Sequence, residues 1–175
     1  MADIQASINT AVAFAKKWEG LYSGSPTSTV KVSADAPPNT LIYAYYDKLG
    51  GVWTIGWGNT YYKNGAKVKS GDKIYKAEAD EMILWEMTDK EKEVSAFIDS
   101  SKLTNNEYAA LLSIAYNAGA TGLKRTAIDE SLNTKTRQET ANIIKDSILT
   151  AKGSYVQGLK NRKLKTNSFI NPNSC

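Results

Sequence analysis

The chain has 175 residues, 42% hydrophobic and 23% charged. That is the balance of a folded globular protein, with enough length for one domain, at most split into two lobes. Histidine is absent and Cys175 is the single cysteine, which excludes Ser-His-Asp and Cys-His nucleophiles, the usual histidine-bearing zinc sites and any disulfide within the chain, leaving carboxylate chemistry. The 22 lysines and arginines outnumber the 18 acidic residues for a net charge of +4, a mild basicity that suits an anionic partner such as a bacterial envelope or a nucleic acid, and equally an ordinary solvated surface.

The N-terminus has no basic leader, and its longest apolar run, Ala11 to Ala15, is too short for the core of a signal peptide. No stretch approaches the roughly 20 apolar residues of a membrane span. The expectation is a protein made in the cytoplasm, without stable membrane insertion, that reaches any extracellular target by another route.

Ile4 to Trp18 is expected to be a helix, with Ile4, Ile8, Ala11, Ala15 and Trp18 three or four apart on one face and Gly20 placed to end it. From Ser23 to Asn39 the chain turns to Ser, Thr, Pro and Gly. This reads as a loop or small hairpin, with Thr29 to Val32 the one short alternating piece. Leu41 to Tyr46 and Val52 to Trp57 are rich in β-branched and aromatic residues and flank Gly50-Gly51, the pattern of a hairpin. Beyond Lys76 the periodicity becomes helical: Ile83, Met87, Val94 and Ile98 share a face. Thr104 and Glu107 then have capping-box spacing before Leu111, Leu112 and Ala115, and Asn117 and Gly119 are suited to end that helix. Further helices are expected over Ala127 to Leu132, Arg137 to Ala151 and around Tyr155 to Leu164. The class is α+β: a single domain with a small lobe of about residues 1–75 bearing a short antiparallel sheet, a larger helical lobe of about residues 76–175, and a cleft between them.

Two carboxylates draw attention. Glu19 stands at the carboxyl end of its helix beside Trp18 and Leu21, where the helix dipole and apolar neighbours both disfavour an ionised carboxylate. A protonated acid is what the leaving oxygen of a glycoside needs. Asp47 follows 28 residues later at the start of a glycine turn, a polar setting in which an ionised carboxylate can hold or deprotonate water. Thr54 alternates with Trp53 and Ile55 and so faces away from their apolar surface. Each residue alone has a plainer reading: a solvated helix-end glutamate, a turn aspartate, a strand threonine. Gly56 and Gly58 interrupt a strong strand pattern, implying either a backbone bend or close approach of another group.

In this order, Glu19-Gly20, Tyr46-Asp47, Gly51, Thr54-Ile55-Gly56 and Gly58 resemble the signature of the phage-type lysozymes, the glycoside hydrolase family of the T4 and P22 phage endolysins. Asn106 to Gly119 resembles the family's central helix, and Gly158-Leu159 with Asn161-Arg162 its C-terminal motif, so the resemblance covers most of residues 12–165. It implies an N-acetylmuramidase that hydrolyses the β-1,4 bond between N-acetylmuramic acid and N-acetylglucosamine in peptidoglycan. Glu19 would be the general acid, Asp47 would orient and activate water, Thr54 would help hold that water, and the anomeric carbon would be inverted. The same resemblance makes Tyr116, Asn117, Thr126 and Arg162 candidates for contacting the substrate, Asn117 and Arg162 having plainer readings as a helix cap and an ion-pair residue. It further implies a monomer without metal or cofactor, no nucleic-acid partner, and a holin that releases the enzyme from the host cytoplasm to the wall.

The chain departs from the family pattern in four places. Ser23 to Asn39 is longer than the usual hairpin, and Gly50-Gly51 lengthens the turn between Asp47 and Thr54 by one residue. Asn59 stands where a histidine is common, so that any ion pair made there is expected to be lost, and Lys163 replaces a second arginine. Three rivals remain at this stage: a lysozyme-like wall-binding or virion component without turnover, a chitinase or other glycosidase on the same architecture, and, on charge alone and with no recognition motif, a nucleic-acid binder.

Overall fold

In a computed structural model of the protein, the structure describes residues 1–24, 28–48, 50–126, 128–140, 142, 150–151 and 154–155. The chain forms two compact units, Val12–Glu86 and a second made of Met1–Ala11 with Met87–Cys175. Two helices, α1 (Ile4–Glu19) and α2 (Lys76–Ser95), contribute residues to both.

α1 starts where the Asp3 carboxylate accepts the Ala6 N–H at 2.9 Å, the bond of an N-cap. It ends at Gly20, whose φ of 72° continues no helix and whose N–H donates to the Lys16 carbonyl. Ile8, Ala11 and Ala15 are buried, as their spacing implies.

Within Val12–Glu86 the strands pair two by two. β1 (Leu21–Gly24) pairs antiparallel with β2 (Thr29–Val32), so the polar segment after α1 is a hairpin rather than a plain loop. The strand expected over Leu41 to Tyr46 is divided. β3 (Leu41–Tyr43) pairs with β6 (Lys73–Tyr75), Ala44 donates its N–H to Asp72, and β4 (Tyr45–Asp47) then pairs with β5 (Val52–Thr54). The strand expected over Val52 to Trp57 stops at Thr54, because Gly56 (φ 63°) and Gly58 (φ 108°) turn the backbone while Ile55 and Asn59 exchange hydrogen bonds across the turn. Gly56 also lies against α2: a Cβ there would sit 3.0 Å from that of Ala79. Leu21, Ile42, Ile55, Trp57, Ala79 and Ile83 form the core of this unit, and each large side chain contributes about 1.5–3 kcal/mol by leaving water.

In the other unit, a 3-10 turn (Ser100–Lys102) leads to α3 (Asn105–Ala118), α4 (Ala120–Lys124) and α5 (Ile128–Thr134). The capping box at Thr104 and Glu107 is formed, and Gly119 (φ 76°) ends α3. Asn117 lies inside α3 rather than capping it, with Nδ2 donating to the Ser113 carbonyl at 2.7 Å. Met87, Val94, Leu111, Leu112, Leu123 and Ile128 are buried here. Residues 137–140 and 142 are helical, as expected. The helices expected over Arg137 to Ala151 and Tyr155 to Leu164 are corrected at their facing ends. There β7 (Thr150–Ala151) pairs with β8 (Ser154–Tyr155), setting Thr150 opposite Tyr155, two residues of strand preference. The rest of both expectations, including Arg162, lies outside the described residues. The class is α+β, as expected. Among the described residues no helix is long and apolar enough to cross a membrane.

Candidate active site

Glu19, Asp47 and Thr54 all belong to the unit Val12–Glu86. Glu19 is the last residue of α1 and is partly exposed. Its carboxylate faces the backbone of the glycine turn: a Cβ on Gly58 would lie 3.7 Å from Oε2. Asp47 ends β4, and its carbonyl accepts the Gly51 N–H at 2.7 Å, closing the turn that Gly51 permits with a φ of 67°. The Asp47 carboxylate folds over that turn so closely that a Cβ on Gly50 would stand 2.6 Å from Oδ2. Position 50 is therefore one that only glycine fills without moving the carboxylate.

Thr54 is buried and lies directly across the ladder from Tyr45, while Asp47 lies across from Val52. Side chains two apart on a strand share a face, so Tyr45, Asp47 and Thr54 line one face of the β4–β5 hairpin. Asp47 and Thr54 are diagonal partners, about 7–8 Å apart in a regular ladder. The opposite face carries Tyr46 edge-to-face against Trp53, ring centroids 5.6 Å apart.

Tyr45 shares the Asp47 face of β4, a feature the sequence reading missed. Burial pushes its hydroxyl up to about 12, and the charges of Asp47, Glu19 and Tyr22 add to the rise. Both carboxylates thus lie within electrostatic reach of a phenol that keeps its proton at any physiological pH. Tyr22 packs edge-on against it at 5.9 Å, and Gly24 lets β1 press onto the same stretch, since a Cβ there would sit 2.7 Å from that of Tyr45. Its period-2 spacing from Asp47 gives only a shared strand face; the pairing with Thr54 that sets its place leaves no mark in local pattern.

The glycine turn is held from beneath by polar contacts. Trp57, buried between Gly56 and Gly58, donates its indole N–H to Asp80 Oδ1 at 2.8 Å. The same carboxylate takes Lys16 at 2.7 Å and Lys76 at 2.8 Å, and the Lys16 ammonium also lies 5.2 Å from the centre of the Trp57 ring. Asn59 keeps an acidic partner despite not being a histidine: its buried Nδ2 donates to Glu86 Oε2 at 2.6 Å. Asn59 is neutral, so its link to Glu86 is a charge-assisted hydrogen bond and not an ion pair, as the substitution implies.

Tyr116, Asn117 and Thr126 belong to the other unit. Tyr116 and Asn117 are partly exposed, and the buried Thr126 hydroxyl donates to the Leu123 carbonyl at 2.7 Å. Cavities of about 310 and 360 Å³ are lined by other residues, around Leu111 and Ile128 in one unit and around Tyr62 and Trp85 in the other. Neither includes a candidate carboxylate. Among the described residues no three His, Cys, Asp or Glu side chains converge as a metal site would require.

The family model for phage lysozyme matches residues 40–166, well over half of the sequence. The chain belongs to the phage lysozyme family. Its fold is lysozyme-like, and the protein is a glycoside hydrolase of the lysozyme type. Among solved structures, an endolysin from Escherichia coli O157:H7 phage FAHEc1 is 28% identical, with a TM-score of 0.67 over 93% of this chain and 90% of that one. A variant of P22 lysozyme is 22% identical, with a TM-score of 0.66 over 91% and 94% of the two chains. The muramidase domain of SpmX from Asticcacaulis excentricus is 19% identical, with a TM-score of 0.69 over 98% and 99%. The last two likenesses show the fold alone. No curated protein matches the sequence.

Proposed function

We propose that this phage lysozyme is an N-acetylmuramidase that cleaves the β-1,4 bond between N-acetylmuramic acid and N-acetylglucosamine in peptidoglycan, and that it degrades the host wall at lysis. Glu19, as its carboxylic acid, protonates the glycosidic oxygen as the bond to the anomeric carbon breaks. Asp47 takes a proton from the water that attacks that carbon from the opposite face, and the Thr54 hydroxyl holds the water in line. The proton lost by Glu19 and the one gained by Asp47 balance, and the product is the inverted hemiacetal. Tyr45 stays neutral throughout and does not compete as a base.

The observation that carries this reading is geometric: the Glu19 carboxylate faces Gly58 in the glycine turn that follows β5, while Asp47 and Thr54 lie on one face of the β4–β5 hairpin leading into that turn. Contacts to the glycan from Tyr116, Asn117, Thr126 and Arg162 are proposed on the family resemblance, as are the monomeric state and release to the wall by a holin. Clearing of permeabilised Gram-negative cells tests the mechanism. Glu19→Gln removes the proton donor at nearly constant shape and is expected to lower the lysis rate by about 100-fold or more with an unchanged thermal midpoint. Equal clearing by the two proteins overturns the assignment.

A further inference from the structure

The geometry points to Asp80 as a positioning residue for Glu19: one carboxylate that ties the end of α1 to the glycine turn and cancels the positive charge beside the general acid. The inference rests on Glu19 being that acid. Asp80 stands on α2 and takes donors from three separate places: Lys16 on α1, Trp57 on the turn and Lys76 at the start of α2. Lys16 precedes Glu19 by three residues, so the two side chains are neighbours on the helix surface, with Cβ atoms about 5–6 Å apart. Trp57 precedes Gly58, whose backbone the Glu19 carboxylate faces. Asp80 thereby holds Glu19 from both sides, through the helix that carries it and the turn against which it rests.

The second role is charge. Burial pushes the Asp80 carboxyl up, but hydrogen bonds from Lys16, Lys76 and Trp57 outweigh it and hold the group below the ordinary carboxylate range. Asp80 is thus held in its ionised form by its cationic partners. With it in place the Lys16–Asp80–Lys76 cluster carries one net positive charge; without its charge the cluster carries two. Tyr45 on β4 senses the charges of Glu19, Asp47 and Tyr22, and next to Glu19 a Cβ on Gly20 would lie 3.0 Å from the Tyr22 ring on β1 and 3.5 Å from Lys31 Cε on β2. None of these changes when Asp80 is altered.

Asp80→Asn keeps the shape and an acceptor for Trp57 and Lys16 while removing the charge. With Asp80 neutral, the Lys16 ammonium, carried three residues before Glu19 on the same helix surface, is uncompensated and favours the ionised carboxylate, so the alkaline limb of the pH–rate profile, which reports loss of the acid's proton, is expected to move down by about half a pH unit. Asp80→Glu is expected to restore the limb. Trp57→Phe removes the indole donor and no charge, so it is expected to lower the rate with the limb in place.

The experiment is the initial rate of lysis of permeabilised cells against pH for wild type, Asp80→Asn, Asp80→Glu and Lys16→Met/Asp80→Asn, with thermal midpoints recorded alongside. A limb lowered in Asp80→Asn and moved back in the double variant is the expected result; a limb at the wild-type pH in Asp80→Asn overturns the inference. Should Asp80→Asn fail to fold, Lys16→Met alone decides: removing the ammonium must raise the limb, and an unmoved limb again overturns it. Glu19→Gln separates the two failures. If Glu19→Gln is fully active, the acid assignment falls; if it is inactive while the limb stays put, only the role of Asp80 falls.

Discussion

Glycine at positions 24 and 50 does two different jobs, and the contrast is measurable. A Cβ on Gly24 would stand 2.3 Å from the Ala44 carbonyl oxygen, a backbone atom that cannot move without displacing β4. Gly24→Ala is expected to cost about 1–3 kcal/mol, the range for overpacking, read as a lower midpoint in urea. A Cβ on Gly50 meets instead the end of the Asp47 side chain, which can swing aside. Gly50→Ala is therefore expected to leave stability within about 0.5 kcal/mol but to slow lysis about 10- to 100-fold by misplacing the carboxylate. Loss of stability with full activity would contradict that reading of the turn. Glu19, Asp47 and Thr54 could be picked out because spacing along one chain segment carries them. Tyr45 and Asp80 could not. The first matters through its cross-strand partner Thr54, and the second through a bond to Trp57 from an element 23 residues away, and neither relation leaves a mark in local pattern.

α3 shows how fully a helix start can be written in four residues. Thr104 accepts the Glu107 N–H, and the Glu107 carboxylate accepts the Thr104 N–H at 2.8 Å and pairs with Arg137. Thr104→Ala is expected to cost about 1 kcal/mol by urea unfolding. Burial pushes the Glu107 carboxyl up, yet the Thr104 amide, Arg137 and the Thr104 hydroxyl together hold it below its ordinary value. A carboxylate depressed in the folded state stabilises at pH above its unfolded value, about 4.3, and that stability is lost as pH falls through the lower folded value. Thermal midpoints measured downward from neutral pH through the unfolded value of about 4.3 are expected to fall less steeply in Glu107→Gln than in wild type; parallel curves would show that the cap carries no such linkage. The strands were less readable than this cap. The Leu41 to Tyr46 run looks continuous, and only the exchange of partner at Ala44, set by the distant Asp72, divides it. β6, three residues long, offers too short an alternation to detect.

The whole chain carries a net charge of +4, and an anionic wall should attract it through a field that salt screens. Lysis of permeabilised cells is expected to slow as ionic strength rises from 0.01 M to 0.15 M, where the Debye length falls from about 30 to about 8 Å, while the rate on a small uncharged oligosaccharide stays level. A fall on both substrates would place the salt effect in the site rather than in encounter. The α+β class was readable because periodicity changes from two to about 3.6 residues near Lys76, where α2 begins. The central claim is a muramidase acting through Glu19, and one measurement bears on it most directly: mass spectrometry of borohydride-reduced fragments from purified peptidoglycan digested with wild type and with Glu19→Gln. Fragments ending in reduced N-acetylmuramic acid from the wild type, and essentially none from the variant, are the predicted result. Ends of reduced N-acetylglucosamine, or equal release by the variant, would contradict it.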